Sequence, residues 1–263
     1  MRKSFSKFCV LAIAAAAFMS SCEKPEEFTV NMRTPQKMDF VKRDLPEGFK
    51  IGASLPSAAE AVDLGLSVKW ANMNLGAESA DEFGDLYAWG EITPSSFFGW
   101  QNYEFNDYHP DDSYSLYISK YCFDKYGERQ DLESGGVTLD PYDDAAYLQW
   151  GDGWRMPSAA ELEELCTRCV WTYSTQRSTF TVTGPNGNSI IIPYEGAGIG
   201  DSVYPCPECA VTGGLWSSTL SENESPFACQ LTLQGLPDDK FEKGMSMGGA
   251  NRCFGSYIRP VRK

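Results

Sequence analysis

The chain has 263 residues, with 22 Lys and Arg set against 36 Asp and Glu, a formal charge of −14 at pH 7 and a pI near 4.5. This acidic balance, with no basic cluster to offset it, argues against nucleic-acid backbones and anionic membrane surfaces as partners. A hydrophobic fraction of 42%, 13% of the chain being aromatic, is enough for one domain with a substantial core.

In chain order, the first element is a signal peptide. Arg2, Lys3 and Lys7 form a basic stretch, Phe8 to Met19 is a short apolar run, and Ser20-Ser21 are small residues ahead of Cys22. The apolar run is about half of the ~20 residues that a spanning helix needs, so it reads as a cleaved leader and not as an anchor. Met19-Ser20-Ser21-Cys22 looks like a lipobox, which assigns residues 1–21 to the leader and makes Cys22 the lipidation site, since the sulfur must take the diacylglycerol. Cleavage removes three basic and no acidic residues, taking the formal charge from −14 to −17. Glu23-Lys24-Pro25-Glu26-Glu27 resembles the acidic export signal of Bacteroidetes surface lipoproteins. Residues 22–59 are rich in Pro, Lys and Glu without hydrophobic periodicity and are expected to form an acylated tether. Membrane attachment is expected through the N-terminal lipid only.

From residue 60 the pattern becomes that of an α+β domain with small antiparallel sheets, few helices and long loops. Val62 to Ala71 reads as a strand with Trp70 buried. Thr93 to Val137 breaks down into Ser, Asn, Asp, Gly and aromatics, a long loop region. Asp143 and Asp144 open a short helix through Tyr147, where carboxylates complement the helix dipole. Ser158 with Glu161 makes a capping box, in which hydroxyl and carboxylate each satisfy an orphan backbone N–H. The helix that follows buries Leu162, Leu165 and Cys166 and exposes Glu161, Glu163 and Glu164. Phe180–Thr183 and Ile190–Ile192 read as a hairpin turned by Asn186-Gly187, a pair that tolerates positive φ. Leu215–Thr219, Cys229–Leu233 and Ser256–Val261 supply further strands.

Six blocks carry a resemblance. Asp63-Leu64-Gly65-Leu66-Ser67-Val68-Lys69-Trp70-Ala71, the Asn74–Ala77 and Phe83–Glu91 segments, Leu139–Ala146 with Trp150-Gly151 and Trp154-Arg155-Met156-Pro157-Ser158, Gly184–Pro193, Leu215–Thr219, and Tyr257–Val261 occur in order. Together they resemble the Fibrobacter succinogenes major paralogous domain of Bacteroidetes surface lipoproteins, over roughly residues 60–263. The Trp-Arg-Met-Pro-Ser, Trp-Ser-Ser-Thr and Arg-Pro-Val segments are also similar to formylglycine-generating sulfatase-modifying proteins, which implies a C-type-lectin-like domain. That resemblance fixes no activity, and the reactive cysteine arrangement of those enzymes has no counterpart that can be placed here.

Catalytic constellations are mostly absent. The single histidine, His109, lies in an Asn/Asp-rich loop and would have to serve any Ser-His-Asp or Cys-His device. With 36 acidic residues, no carboxylate pair stands out for glycoside hydrolysis. Cys166-Thr-Arg-Cys169 and Cys206-Pro-Glu-Cys209 are open to three readings: a four-thiolate zinc site, a disulfide joining the two pairs, or reduced core thiols. Asp111-Asp112, Asp143-Asp144 and Asp238-Asp239 do not specify calcium, and the Glu-Pro-Asn and Gln-Pro-Asp triplets of classical C-type lectins are missing, which leaves only a structural ion open. No metal ligands and no cofactor are assigned.

The remaining surface is aromatic. Phe97, Phe98, Trp100, Tyr103, Phe105, Tyr108, Tyr114 and Tyr117 alternate with Ser, Asn and Asp. These side chains either pin a long loop to the core or form a platform for the apolar faces of sugars. Trp100, Tyr103, Tyr108 and Tyr114 are the expected ligand-binding residues. The expected protein is an outer-membrane lipoprotein exposed at the cell surface, a noncatalytic binding or adhesion module for a glycan or a surface protein and not an enzyme. The alternative is a structural or accessory subunit of a surface fibre or polysaccharide-uptake complex, with an unrecognised carbohydrate-active enzyme as the third reading.

Overall fold

The computed structural model describes residues 43–112, 115–126, 137–151, 153–174, 176–193, 197–199, 202–204, 214–222, 224–233 and 245–263. The leader, Cys22, Tyr114, Cys206 and Cys209 therefore lie outside the described residues.

Two helices and eleven short strands make up the regular structure of these residues. β1 (Ala61–Val62) and β2 (Lys69–Ala71) come first, then two 3-10 turns, η1 (Pro110–Asp112) and η2 (Pro141–Asp143), followed by α1 (Ala145–Trp150) and α2 (Ala159–Arg168). β3 (Val170–Ser174), β4 (Thr179–Thr183), β5 (Ser189–Pro193), β6 (Ala197–Ile199) and β7 (Ser202–Tyr204) precede β8 (Gly214–Leu220), β9 (Phe227–Leu233), β10 (Met245–Asn251) and β11 (Val261–Arg262). They form three three-stranded antiparallel sheets, ordered β1-β2-β11, β10-β9-β8 and β3-β4-β5, with β6-β7 as a separate pair. The architecture is mixed α and β, with few helices and small antiparallel sheets.

Local sequence accounts for several elements directly. Ser158 Oγ accepts from Glu161 N and a Glu161 oxygen accepts from Ser158 N at 2.8 Å, the reciprocal capping box, contributing about 1 kcal/mol at the helix start. Leu162 and Leu165 are buried beneath α2 and Cys166 is half-buried. Of the three glutamates expected to be exposed, only Glu163 is fully so. Glu161 is taken up by Arg155, and Glu164 caps the Ser67 N–H and pairs with Arg168. The β4–β5 hairpin forms in the register Thr183↔Ser189, and Gly187 adopts φ 86° within its turn.

Two expected strands are shorter than the hydrophobic pattern suggested. Val62 to Ala71 divides into β1 and β2 because Asp63 Oδ1 captures Gly65 N at 2.7 Å and turns the chain, although Trp70 is fully buried. In the last block only Val261 belongs to a strand; Ser256 and Tyr257 make isolated bridges to Tyr87 and Leu215.

Residues ahead of position 60 also pack onto the domain. The described residues from Arg43 onward belong to one compact unit. Gly52 N donates to Leu148 O at 2.9 Å and Ser54 N to Gln149 O at 3.0 Å, so this segment caps the end carbonyls of α1. Gly52 passes close to that helix at φ +82°, where a Cβ would meet Trp150 O at 3.3 Å. A stretch without helical or strand periodicity is ordered here by backbone bonds, which leave no mark in hydrophobic pattern.

Tryptophans bind the layers together. Trp89 Nε1 donates to Ser217 O at 2.9 Å and Trp216 Nε1 to Tyr87 O at 2.8 Å. Trp150 and Trp154 meet edge to face at 5.2 Å. Arg259, fully buried, donates to Ala71 O at 3.1 Å and Ile191 O at 2.8 Å, joining β2 to β5. Burial pulls its pKa down to about 9, and its Nε has no hydrogen-bond partner among the described residues.

Candidate functional site

The aromatic loop is organised by a cation from the far end of the chain. Arg252 is fully buried at the foot of β10 and donates from Nε to Tyr103 Oη at 3.0 Å, from Nη1 to Tyr121 O and Ser225 O, and from Nη2 to Lys120 O at 2.9 Å. Its guanidinium lies 4.8 Å from the Trp89 ring centroid and 5.4 Å from that of Tyr103. Tyr103 in turn donates to Trp89 O at 2.7 Å. Burial raises the Tyr103 phenol pKa, so the phenol stays protonated as this donor.

This arrangement corrects part of the expected sugar platform. Tyr103 is 3% exposed and is consumed by Arg252 and Trp89, so it offers no face to a ligand. Phe98 and Phe105 are buried as well. Trp100 is half-buried, edge to face with Tyr103 at 5.6 Å, and its carbonyl accepts from Asn106 Nδ2. Tyr108, 44% exposed, is open to solvent. His109 is exposed and packs on Tyr117 at 4.4 Å. The structure thus retains Trp100 and Tyr108 as accessible members, does not bring in Tyr103, and leaves Tyr114 outside the described residues.

Beside the loop stands a buried carboxylate. Asp143 Oδ1 accepts from Arg43 Nε at 3.0 Å, and Oδ2 accepts from Tyr121 Oη at 2.6 Å and from Lys120 Nζ. Tyr121 Oη also accepts from Asp140 N at 2.9 Å. Arg43 reaches Glu104 and Gly90 O with its remaining nitrogens. The 22–59 segment was expected to be a tether, yet its Arg43 helps neutralise this charge. Asp143 reads in sequence as a complement to the helix dipole; its three side-chain partners come from distant positions and were not anticipated. Neither was Arg252, for which an Arg next to a strand rich in Gly and Met is the only local signal.

The next residue faces a different environment. η2 is initiated by Asp140, whose Oδ1 accepts from Tyr142 N, with Pro141 fixing the first turn. Asp144 then caps α1: Oδ1 accepts from Tyr147 N at 3.0 Å and Oδ2 from Met156 N at 2.8 Å. Burial pushes its pKa up to about 6, against the opposing effect of these backbone bonds.

Asp144 forms the floor of a cavity of about 460 Å³. Pro141 of η2 and Tyr147 of α1 line it together with Trp154 and Arg155, and Thr138, Ser158 and Ser218 bring hydroxyl-bearing side chains to the lining. The walls are held by the strand-helix junction: Ser218 N donates to Pro157 O at 2.7 Å and Ala159 N to Thr219 Oγ1 at 3.0 Å. Arg155 pairs with both Glu161 oxygens at 2.8 and 2.6 Å. Burial alone would raise Glu161, but the Arg155 and Ser158 bonds outweigh it and hold the carboxyl below its ordinary value. The cavity therefore offers hydroxyls, one tyrosine, a compensated guanidinium and a largely covered carboxylate.

Cys166 and Cys169 are half-buried thiols at the end of α2, and burial raises both pKa values, which disfavours the reactive thiolate. Their expected approach to Cys206 or Cys209 lies outside the described residues. No cluster of three or more His, Cys, Asp or Glu among the described residues is placed to hold a metal ion, and no helix there is long and apolar enough to cross a membrane. No family model, curated protein or solved structure matches the chain.

Proposed function

We propose that the protein is a lipoprotein anchored through Cys22 at the outer-membrane surface, whose C-type-lectin-like domain is a noncatalytic binding module for a glycan or a surface protein. The leader and lipobox support the location, and the ordered blocks from Asp63 to Val261 support the domain type. The observation that carries the binding reading is the cavity of about 460 Å³, a size usual for small-ligand sites. Its charged groups are already engaged. Asp144 accepts two backbone N–H bonds and Arg155 holds Glu161 with both Nη atoms, so they fix the shape of the site and leave no free acid-base pair.

Two measurements test this reading. Cys22→Ala should abolish acyl labelling and move the protein out of the membrane fraction; unchanged labelling would remove the anchor from the proposal. Purified protein on glycan and surface-protein arrays should bind at least one ligand class without altering it. Turnover of a bound glycan would instead place the protein among the enzymes.

A further inference from the structure

We propose that the cavity between η2, α1 and the start of α2 is a subsite for one neutral saccharide unit, with Tyr147 as its stacking face. This rests on the binding-module reading above and names the ligand and the site within it.

Charge selects the ligand class. An anionic ligand would have to displace Glu161 from Arg155, whose bidentate bonds at 2.8 and 2.6 Å already compensate the guanidinium. A cationic ligand would need Asp144, which is only 5% exposed and already receives N–H bonds on both oxygens. A neutral hydroxyl displaces nothing. It both donates and accepts, so it can bond the hydroxyl-bearing side chains of the lining without breaking the Arg155–Glu161 pair or the Asp144 cap. Thr138 adds an exposed hydroxyl at the rim.

Shape points the same way. A pyranose ring presents an apolar C–H face and a polar rim, which matches an aromatic side chain flanked by hydroxyls. Tyr147 and Gln149 are the half-buried members of α1, whose Ala145, Ala146, Leu148 and Trp150 are buried, and of the two only Tyr147 lines the cavity. Its ring can therefore be removed without opening the core. Trp154, 2% exposed and edge to face with Trp150, forms wall and not platform.

The experiment is a titration of isotope-labelled protein followed by NMR. The neutral probes are methyl β-D-glucopyranoside, methyl β-D-galactopyranoside, methyl α-D-mannopyranoside and N-acetylglucosamine, with glucosamine and glucuronate as charged counterparts. Single sugars bind weakly, with dissociation constants on the order of millimolar, so the titration runs to tens of millimolar. At least one neutral probe should shift the signals of Tyr147, Gly153 and Trp154 more than either charged one. Tyr147→Ala should weaken that binding by about tenfold or more with an unchanged melting temperature, and Tyr147→Phe should retain it. Stronger shifts of the cavity signals with glucosamine or glucuronate would overturn the ligand class. Shifts confined to Trp100 and Tyr108, or array binding unaffected by Tyr147→Ala, would overturn the site and leave the binding module standing. Silence in the titration together with silent arrays would overturn both.

Discussion

Asp143 and Asp144 are consecutive, both buried, and share none of their hydrogen-bond partners. Asp143 is held by side chains: Arg43, Lys120 and Tyr121 bring it two cations and a phenol from segments that are far away in the chain. Asp144 is held by backbone, from Tyr147 three residues on and Met156 twelve on. The first is a long-range staple joining the 43–54 segment, the aromatic loop and η2. The second is a helix cap that also floors a cavity. Burial costs both of them solvation; Asp143 recovers it from cations in direct contact, Asp144 mainly from backbone N–H bonds, with the Arg155 charge adding less.

The largest expected effect follows from that difference. Asp143→Ala leaves Arg43 and Lys120 without their shared carboxylate and takes one acceptor from Tyr121 Oη. Breaking a buried pair from one side costs about 3–5 kcal/mol. Urea unfolding of the variant should show a loss of this order. A loss below about 1 kcal/mol would mean that the cations find water or Glu104 instead, and the contrast with Asp144 would collapse.

Next in size is Arg252→Lys. The substitution keeps the charge but removes the planar fork that serves Tyr103, Tyr121, Ser225 and Lys120 together. Each buried acceptor left unpaired costs about 1–3 kcal/mol, and an ammonium reaches only some of them, so a net loss of about 2–3 kcal/mol is expected. Near-equal stability of the two proteins in the same urea assay would show that position and charge, not the fork, organise the aromatic loop.

Asp144→Asn should be milder: the amide oxygen can still cap Tyr147 N, but the NH2 that replaces the second oxygen cannot accept from Met156 N, so a loss of about 1–2 kcal/mol is expected at neutral pH. Its signature is the pH profile. The Asp144 carboxyl is raised from 3.8 to about 6, so between those values the folded state keeps a proton that the unfolded state has released. Stability from this group is complete below pH 3.8 and is lost as pH rises through about 6. Glu161 and Glu164 are shifted the other way and are already ionised above pH 4.5. Between pH 5 and 6 the native protein should therefore lose stability with rising pH more steeply than the variant. Parallel profiles would remove Asp144 as the titrating group.

Where bonds are short-range, the chain announces them. The Ser158–Glu161 box, the Asn186-Gly187 turn and the helix after Asp144 are encoded within five residues, and all three form. Asp143 and Arg43 are separated by 100 positions, and Arg252 and Tyr103 by 149. No spacing rule reaches across such distances. This is also why the candidate site was read only in part. The aromatic character of the loop was visible in its residues, but the burial of Tyr103 depends on an arginine near the other end of the chain. The cavity is built from blocks whose wording stood out, yet its opening arises from the packing of β8 against the start of α2.

The smallest stability effect is expected on the loop. Tyr108 is 44% exposed and no side-chain bond holds it among the described residues, so Tyr108→Ala should change stability by no more than about 0.5 kcal/mol. Trp100→Ala should cost more, about 0.5–1.5 kcal/mol, because its ring meets Tyr103 edge to face at 5.6 Å. Their effect on binding then divides the two sides of the Asp143–Asp144 pair. A ligand that rests on the loop loses affinity with Trp100→Ala and Tyr108→Ala but not with Tyr147→Ala. A ligand seated above Asp144 shows the reverse. A glycan spanning both weakens with either set, and the combined variant then loses about the sum of the separate free energies, since residues well apart act additively. Binding indifferent to all three substitutions would move the site off both surfaces and leave the aromatic loop as packing for Arg252.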